Sequence, residues 1–100
     1  MRACRVDRNQ PEIVKHFRSK GFSVLHTHTL KNCFDILVAK DGLTVAVEIK
    51  DGLKPLSAQK LTNGEQSFME SWQGVYKIVR SVEDVDCLIM NWNNFNQGVV

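Results

Sequence analysis

A chain of 100 residues with 43% hydrophobic and 24% charged side chains and two prolines has the make-up of one globular domain, which excludes a second domain, a disordered chain and a fibrous repeat. No apolar run reaches the roughly 18–20 residues that a bilayer requires, and the charged stretch from Met1 to Gln10 lacks a signal-peptide core. A soluble cytoplasmic protein, cellular or phage-encoded and with no membrane partner, is therefore expected, and its net charge of +2 is unevenly spread: residues 1–31 hold seven Lys/Arg against Asp7 and Glu12, while residues 81–100 hold Glu83, Asp84 and Asp86 with no base. That asymmetry is compatible with a phosphate-backbone partner.

Ile13, Val14 and Phe17 recur at helical spacing between Asn9 and Lys20, with Asn9 placed to cap, Pro11 in the first turn and Gly21 just past the end. Phe22 to Thr29 alternates as a strand does, with Phe22, Val24, His26 and His28 on one side. Phe34–Ala39 and Leu43–Ile49 are β-rich runs joined through Asp41-Gly42, a hairpin signal that makes them antiparallel neighbours. Asp51 to Thr62, with Gly52, Pro55 and Ser57, has no period and is expected to be a mobile surface loop. Thr62 and Glu65 match a capping box that opens a second helix, whose apolar face is Phe68, Met69 and Trp72 and which stops at Gly74. Val75–Val79 is a strand, Ser81 caps a third helix with Val82, Val85 and Leu88, and residues 91–100 form an Asn-rich tail. The order α-β-β-β-α-β-α predicts a single α/β domain over residues 1–100, with a mixed central sheet flanked by helices.

Cys4, Cys33 and Cys87 are odd in number and widely spaced, which suits free thiols. His26 and His28 share a strand face and could hold a transition metal with Cys33, but a histidine pair fixes two ligands where zinc wants three or four, so a solvent-facing or DNA-facing strand end is the default reading.

The chemistry concentrates elsewhere. In the hairpin, Asp35 begins one strand as Glu48 and Lys50 end the other, and the period of two puts Glu48 and Lys50 on one face beside Asp35. Val45, Ala46, Val47 and Ile49 surround them, and burying two carboxylates and an ammonium among apolar side chains is costly. A divalent cation would explain the arrangement, because paired carboxylates plus a backbone carbonyl make a hard oxygen site suited to magnesium. A routine Glu–Lys pair on a surface hairpin is the bland alternative.

With these residues in place, the chain resembles the PD-(D/E)XK nuclease superfamily, and within it the small virus-type replication-repair (VRR-NUC) branch related to archaeal-type Holliday junction resolvases. The resemblance runs from about Asp7 to Val85: Glu12 in the first helix, Phe34-Asp35-Ile36-Leu37-Val38 for the PD strand, Val47-Glu48-Ile49-Lys50 for ExK, and Leu61 to Trp72 for the helix that carries Gln66. Phe34 stands where the family usually has Pro. The resemblance implies a restriction-endonuclease-like fold and magnesium-dependent hydrolysis of DNA phosphodiesters, with manganese able to substitute. By the same resemblance Asp35, Glu48 and the Ile49 carbonyl are metal ligands, Lys50 positions water and stabilises the phosphate charge, Glu12 contacts a metal-bound water or a second ion, and Gln66 holds Lys50 or the phosphate.

Arg5 and Arg8, with Arg2, form a candidate basic arm, and Lys31, Lys54 and Lys60 lie in loops able to grip phosphates on either side of a cut. A branched substrate with two cuts implies a homodimer, for which Trp92, Phe95, Val99 and Val100 are candidate interface residues. The expected activity is structure-selective DNA cleavage, as by a four-way-junction resolvase. The competing classes are a non-catalytic DNA-binding module that retains the nuclease fold, and a metal-regulated interaction protein built on His26 and His28.

Overall fold

Period-two alternation along residues 36–49 builds the middle of a four-stranded sheet, seen in a computed structural model that describes residues 7–27, 29–30 and 32–97, excluding the side chains of residues 96 and 97. Strands β1 (Ser23–His26), β2 (Ile36–Lys40), β3 (Leu43–Ile49) and β4 (Tyr76–Val79) lie in that order across the sheet. The first three are antiparallel neighbours, and β4 joins β3 in parallel after a helical crossover. Helices α1 (Gln10–Ser19), α2 (Asn63–Ser71) and α3 (Val82–Met90) complete the expected α-β-β-β-α-β-α order, so the chain is a compact single α/β domain with a mixed sheet, and a short α4 (Asn94–Gln97) follows.

The two sheet faces have different covers. Ile36 and Val38 of β2, with Val45, Val47 and Ile49 of β3, turn toward α1 and α3 and meet Ile13, Phe17, Val85 and Trp92 in the main core. Each such burial stabilises the fold by about 1.5–3 kcal/mol. The opposite face carries Ala46 and packs with Cys33 and Phe34 against Phe68 and Tyr76. Because side chains alternate, Glu48 and Lys50 fall on this second face, on the α2 side.

Local chemistry sets the ends of these elements. Asp41 (φ 55°) and Gly42 (φ 82°) make the two-residue turn whose twist suits a hairpin, and Lys40 faces Leu43 across it. Gly21 (φ 89°) ends α1: its N–H donates to the Arg18 carbonyl, and the Phe22 N–H donates to that of Phe17. Thr62 and Glu65 form the expected capping box, and Ser81 accepts from the Asp84 N–H.

Several expectations are corrected. Asn9 has helical backbone angles and makes no side-chain cap; its Nδ2 donates to the carbonyls of Lys50 and Arg80, both at 3.1 Å, clipping the start of α1 to the ends of two strands. β1 is shorter than Phe22–Thr29, because Thr27 turns inward and donates its hydroxyl to the Phe34 carbonyl at 2.8 Å. The segment read as a mobile loop contains a 3-10 turn, Leu56–Gln59, and is tied down by the buried Gln59 side chain, which donates to the carbonyls of Gly52 and Lys54. The tail folds back: Trp92 is 5% exposed, donates Nε1 to the Lys40 carbonyl at 3.0 Å and packs edge-on against Phe22 and Phe95. Trp92 is thus core, not interface, while Val99 and Val100 lie outside the described residues. No helix among the described residues is long and apolar enough to cross a membrane.

Candidate active site

The hairpin register opposes Ile36 to Val47, so Asp35 arrives beside Glu48 at the end where β3 leaves the sheet. The Ile49 N–H donates to Asp35 Oδ2 at 2.7 Å, and the Asp35 N–H donates to the Val47 carbonyl at 3.1 Å. The two-residue repeat turns the Ile49 carbonyl to that same side. Glu48 is almost wholly buried, and its Oε2 lies 3.5 Å from Lys50 Nζ. Lys50 donates a shorter bond, 3.0 Å, to Oε1 of Glu65, and both side chains are largely enclosed, at 11% and 19% exposure. Glu65 Oε1 also accepts the Thr62 N–H at 2.9 Å, so the residue that caps α2 is the one that grips Lys50.

Three carboxylates, Asp35, Glu48 and Glu65, crowd around the Lys50 ammonium, and their titration reflects the crowding. Burial, and then the charges of Asp35 and Glu65, push Glu48 up to about 9, which favours its neutral form in the absence of a cation. Burial also raises Asp35, offset in part by the Ile49 N–H and the Glu48 hydrogen bond, with Asp7 and Glu65 adding repulsion. Burial works against the Lys50 charge, but Glu65 and Glu48 outweigh it and Lys50 holds its proton more tightly than usual. Burial likewise opposes ionisation of Glu65, yet the Thr62 N–H and Lys50 hold its carboxyl below the ordinary value. Lys50 is therefore held as a cation and hydrogen-bond donor between Glu65 and Glu48.

The donor set suits a hard divalent ion. A buried carboxylate pair that must keep a proton because its charges repel is a pair from which a cation can displace that proton. Asp35, Glu48 and the Ile49 carbonyl are all oxygen donors. Among the described residues no group of three or more His, Cys, Asp or Glu stands placed to hold a metal ion, so the protein's share would be limited to Asp35, Glu48 and the Ile49 carbonyl, with waters making up the rest of a magnesium shell.

Asp35, Glu48, Ile49 and Lys50 thus stand together as the sequence predicts, and two other expected residues do not. Glu12 is exposed and sits roughly 150° around α1 from the Ile13, Val14 and Phe17 stripe that faces the sheet, so it points away from the site. The carboxylate at the end of the chain leading into α1 is Asp7, raised by burial, lowered by Lys54 and Lys50, and near enough to act on Asp35. Gln66 is also exposed and donates to Glu70 at 2.9 Å, one turn along α2. Its neighbour Glu65 lies three and seven residues before Phe68 and Trp72, on the sheet-facing side of α2. The capping-box spacing had already singled out Glu65, as a helix cap only; nothing in the sequence marks Asp7.

Of the candidate phosphate contacts, Arg8 is exposed and pairs with Asp51 at 3.0 Å, Lys54 lies 4.0 Å from Asp7, and Lys60 is exposed on the loop before α2. Arg5, Lys31 and His28 lie outside the described residues. His26 meets Gln10, its Nδ1 3.3 Å from Nε2, and the Cys33 thiol donates to the carbonyls of Leu30 and Phe34. Compared with family models, with curated proteins and with solved structures, the chain matches none.

Proposed function

We propose that this chain is a magnesium-dependent DNA endonuclease of the restriction-endonuclease-like fold, selective for branched DNA and acting as a homodimer on four-way junctions. The observation that carries the reading is the placing of Asp35, buried Glu48 and Lys50 side by side at two adjacent strand ends, with Glu48 Oε2 3.5 Å from Lys50 Nζ and Asp35 Oδ2 fixed by the Ile49 N–H. The mixed sheet, with α1 and α3 on one face and α2 on the other, is the framework such a domain requires and supports the same reading.

A magnesium ion held by Asp35, Glu48 and the Ile49 carbonyl would supply charge neutralisation on the scissile phosphate and acidify water beside it; manganese offers the same chemistry. The chain's own groups do the positioning. The Ile49 N–H fixes the Asp35 carboxylate, Glu65 and Glu48 aim the Lys50 ammonium, and that ammonium is a donor for phosphate oxygens on which negative charge grows during in-line attack. Arg8, Lys54 and Lys60 give the rim cations that read phosphates and not base edges, so shape decides the substrate. One small site reaches only a short stretch of duplex, and paired cuts across a junction need a second copy related by a two-fold axis.

The test is cleavage of linear, nicked, flapped and four-way DNA with and without magnesium, by wild type and by Asp35→Asn, Glu48→Gln and Lys50→Ala. The wild type is expected to cut branched DNA only with the ion, and each folded variant to be inactive. Substantial activity in any of the three would sink the assignment, and binding without cleavage by the wild type would leave a DNA-binding module.

A further inference from the structure

The segment that leaves the site after Lys50 carries two of the most exposed large apolar side chains among the described residues, Leu53 at 87% and Leu56 at 79%. Scattered leucines on a surface are ordinary. These two sit on backbone that is held in place. Asp51 Oδ1 accepts the Leu53 N–H at 3.0 Å, while Gln59, buried beneath the segment, donates to the Gly52 and Lys54 carbonyls and accepts from Arg80 Nε at 3.0 Å. Gly52 runs so close to β4's end that a Cβ there would come 3.0 Å from the Arg80 carbonyl oxygen. The charged residues between positions 52 and 64 are Lys54 and Lys60, both positive. Lys54 Nζ lies 4.0 Å from Asp7 Oδ1, and Asp7 in turn acts on Asp35, which puts the segment on the rim of the carboxylate site.

We infer that Leu53 and Leu56 are an apolar wedge that enters the base stack of branched DNA beside the phosphate to be cut, with Lys54 and Lys60 on neighbouring phosphates. This rests on the nuclease reading and gives its substrate preference a physical origin. Base faces are apolar, and leucine is among the side chains that pry base steps apart. At a branch the stack is already interrupted, so insertion costs less there than within continuous duplex. A rigid presentation matters because a floppy loop would lose in ordering what the inserted side chains gain. The absence of acid from positions 52–64 favours a polyanion over a protein surface as the occupant.

The experiment places 2-aminopurine next to the scissile phosphate of a four-way junction and of a linear duplex, and follows its fluorescence on titration with Asp35→Asn protein with and without Leu53→Ala/Leu56→Ala. Cleavage by the otherwise wild-type chain in magnesium is measured in parallel. Expected is a several-fold fluorescence rise on the junction with the leucines present, little rise without them, and a loss of about tenfold in the junction-over-linear cleavage ratio for the double variant, equivalent to about 1.4 kcal/mol. Cleavage of junctions with no fluorescence rise, or with the same rise in both proteins, overturns the wedge while leaving the nuclease standing. A wild type that cuts no DNA removes the nuclease reading and the wedge with it.

Discussion

Replacing Glu65 by Gln separates the two jobs that one oxygen performs. Oε1 accepts both the Thr62 N–H and the Lys50 ammonium, and a glutamine oxygen can still accept the first, since Gln serves a capping box as Glu does. What disappears is the charge that holds Lys50. A hydrogen bond between charged partners this enclosed contributes about 1.5–3 kcal/mol, and a loss within that range is expected. Gln66→Ala, by contrast, removes only an exposed one-turn contact to Glu70 and should cost about 0.2–0.5 kcal/mol. Urea unfolding reads both costs, and single-turnover cleavage of a four-way junction reads the effect on Lys50. A misplaced ammonium is expected to slow Glu65→Gln by about 100-fold, with Gln66→Ala near wild type. Magnesium saturation should also move to lower pH in Glu65→Gln, because Glu48 loses one of the charges that keep it protonated. A Glu65→Gln protein that cuts at the wild-type rate beside an inactive Gln66→Ala would refute the argument.

Asp35→Asn removes one repelling charge from the ion-free site, so it should melt no lower than wild type and yet lose the magnesium-induced rise in Tm; a full rise in the variant would place the ion elsewhere. Glu48 titrates at 4.5 when unfolded and near 9 when folded, so its contribution to ion-free stability is complete below pH 4.5 and is lost as pH climbs toward 9. The ion-free wild type should therefore lose Tm relative to Glu48→Gln across that window, and parallel curves would contradict the shared proton. Trp92→Ala should cost about 3–5 kcal/mol in chemical unfolding, as loss of a core ring does, with no change of oligomeric state in sedimentation. Dissociation of a dimer without loss of stability would restore Trp92 to an interface.

Much of this was legible because the relevant forces are local. Asp41-Gly42, the Thr62 to Glu65 capping box, Ser81 and Gly21 each satisfy a backbone demand within a few residues of themselves, and each sits where its pattern places it. Asp35, Glu48 and Lys50 follow from those same rules, since a tight turn plus a period of two determines which side chains meet. Glu12 and Gln66 went astray where the family resemblance ran against helix phase. The stripe that predicts α1 already turns Glu12 outward, and the stripe of Phe68, Met69 and Trp72 already favours Glu65 over Gln66. The fixed state of residues 51–60 was not legible, because it depends on Gln59 meeting Arg80 from a strand end far along the chain. Burial of Trp92 likewise depends on the hairpin's own backbone, through the Lys40 carbonyl.

The turn at Asp41-Gly42 lies about 17 Å from the carboxylates, five strand residues away, and looks like a place where the chain could absorb an insertion freely. It is in fact the ruler for the carboxylate cluster. Counting from Lys40 opposite Leu43 brings Asp35 level with Glu48, and one residue added to either arm would slide the two strands out of step and carry one carboxylate to the opposite face of the sheet. In a set of diverged sequences, length variation should therefore gather after Lys50 or beyond Met90, and be missing from a two-residue hairpin tip that lies far from either carboxylate.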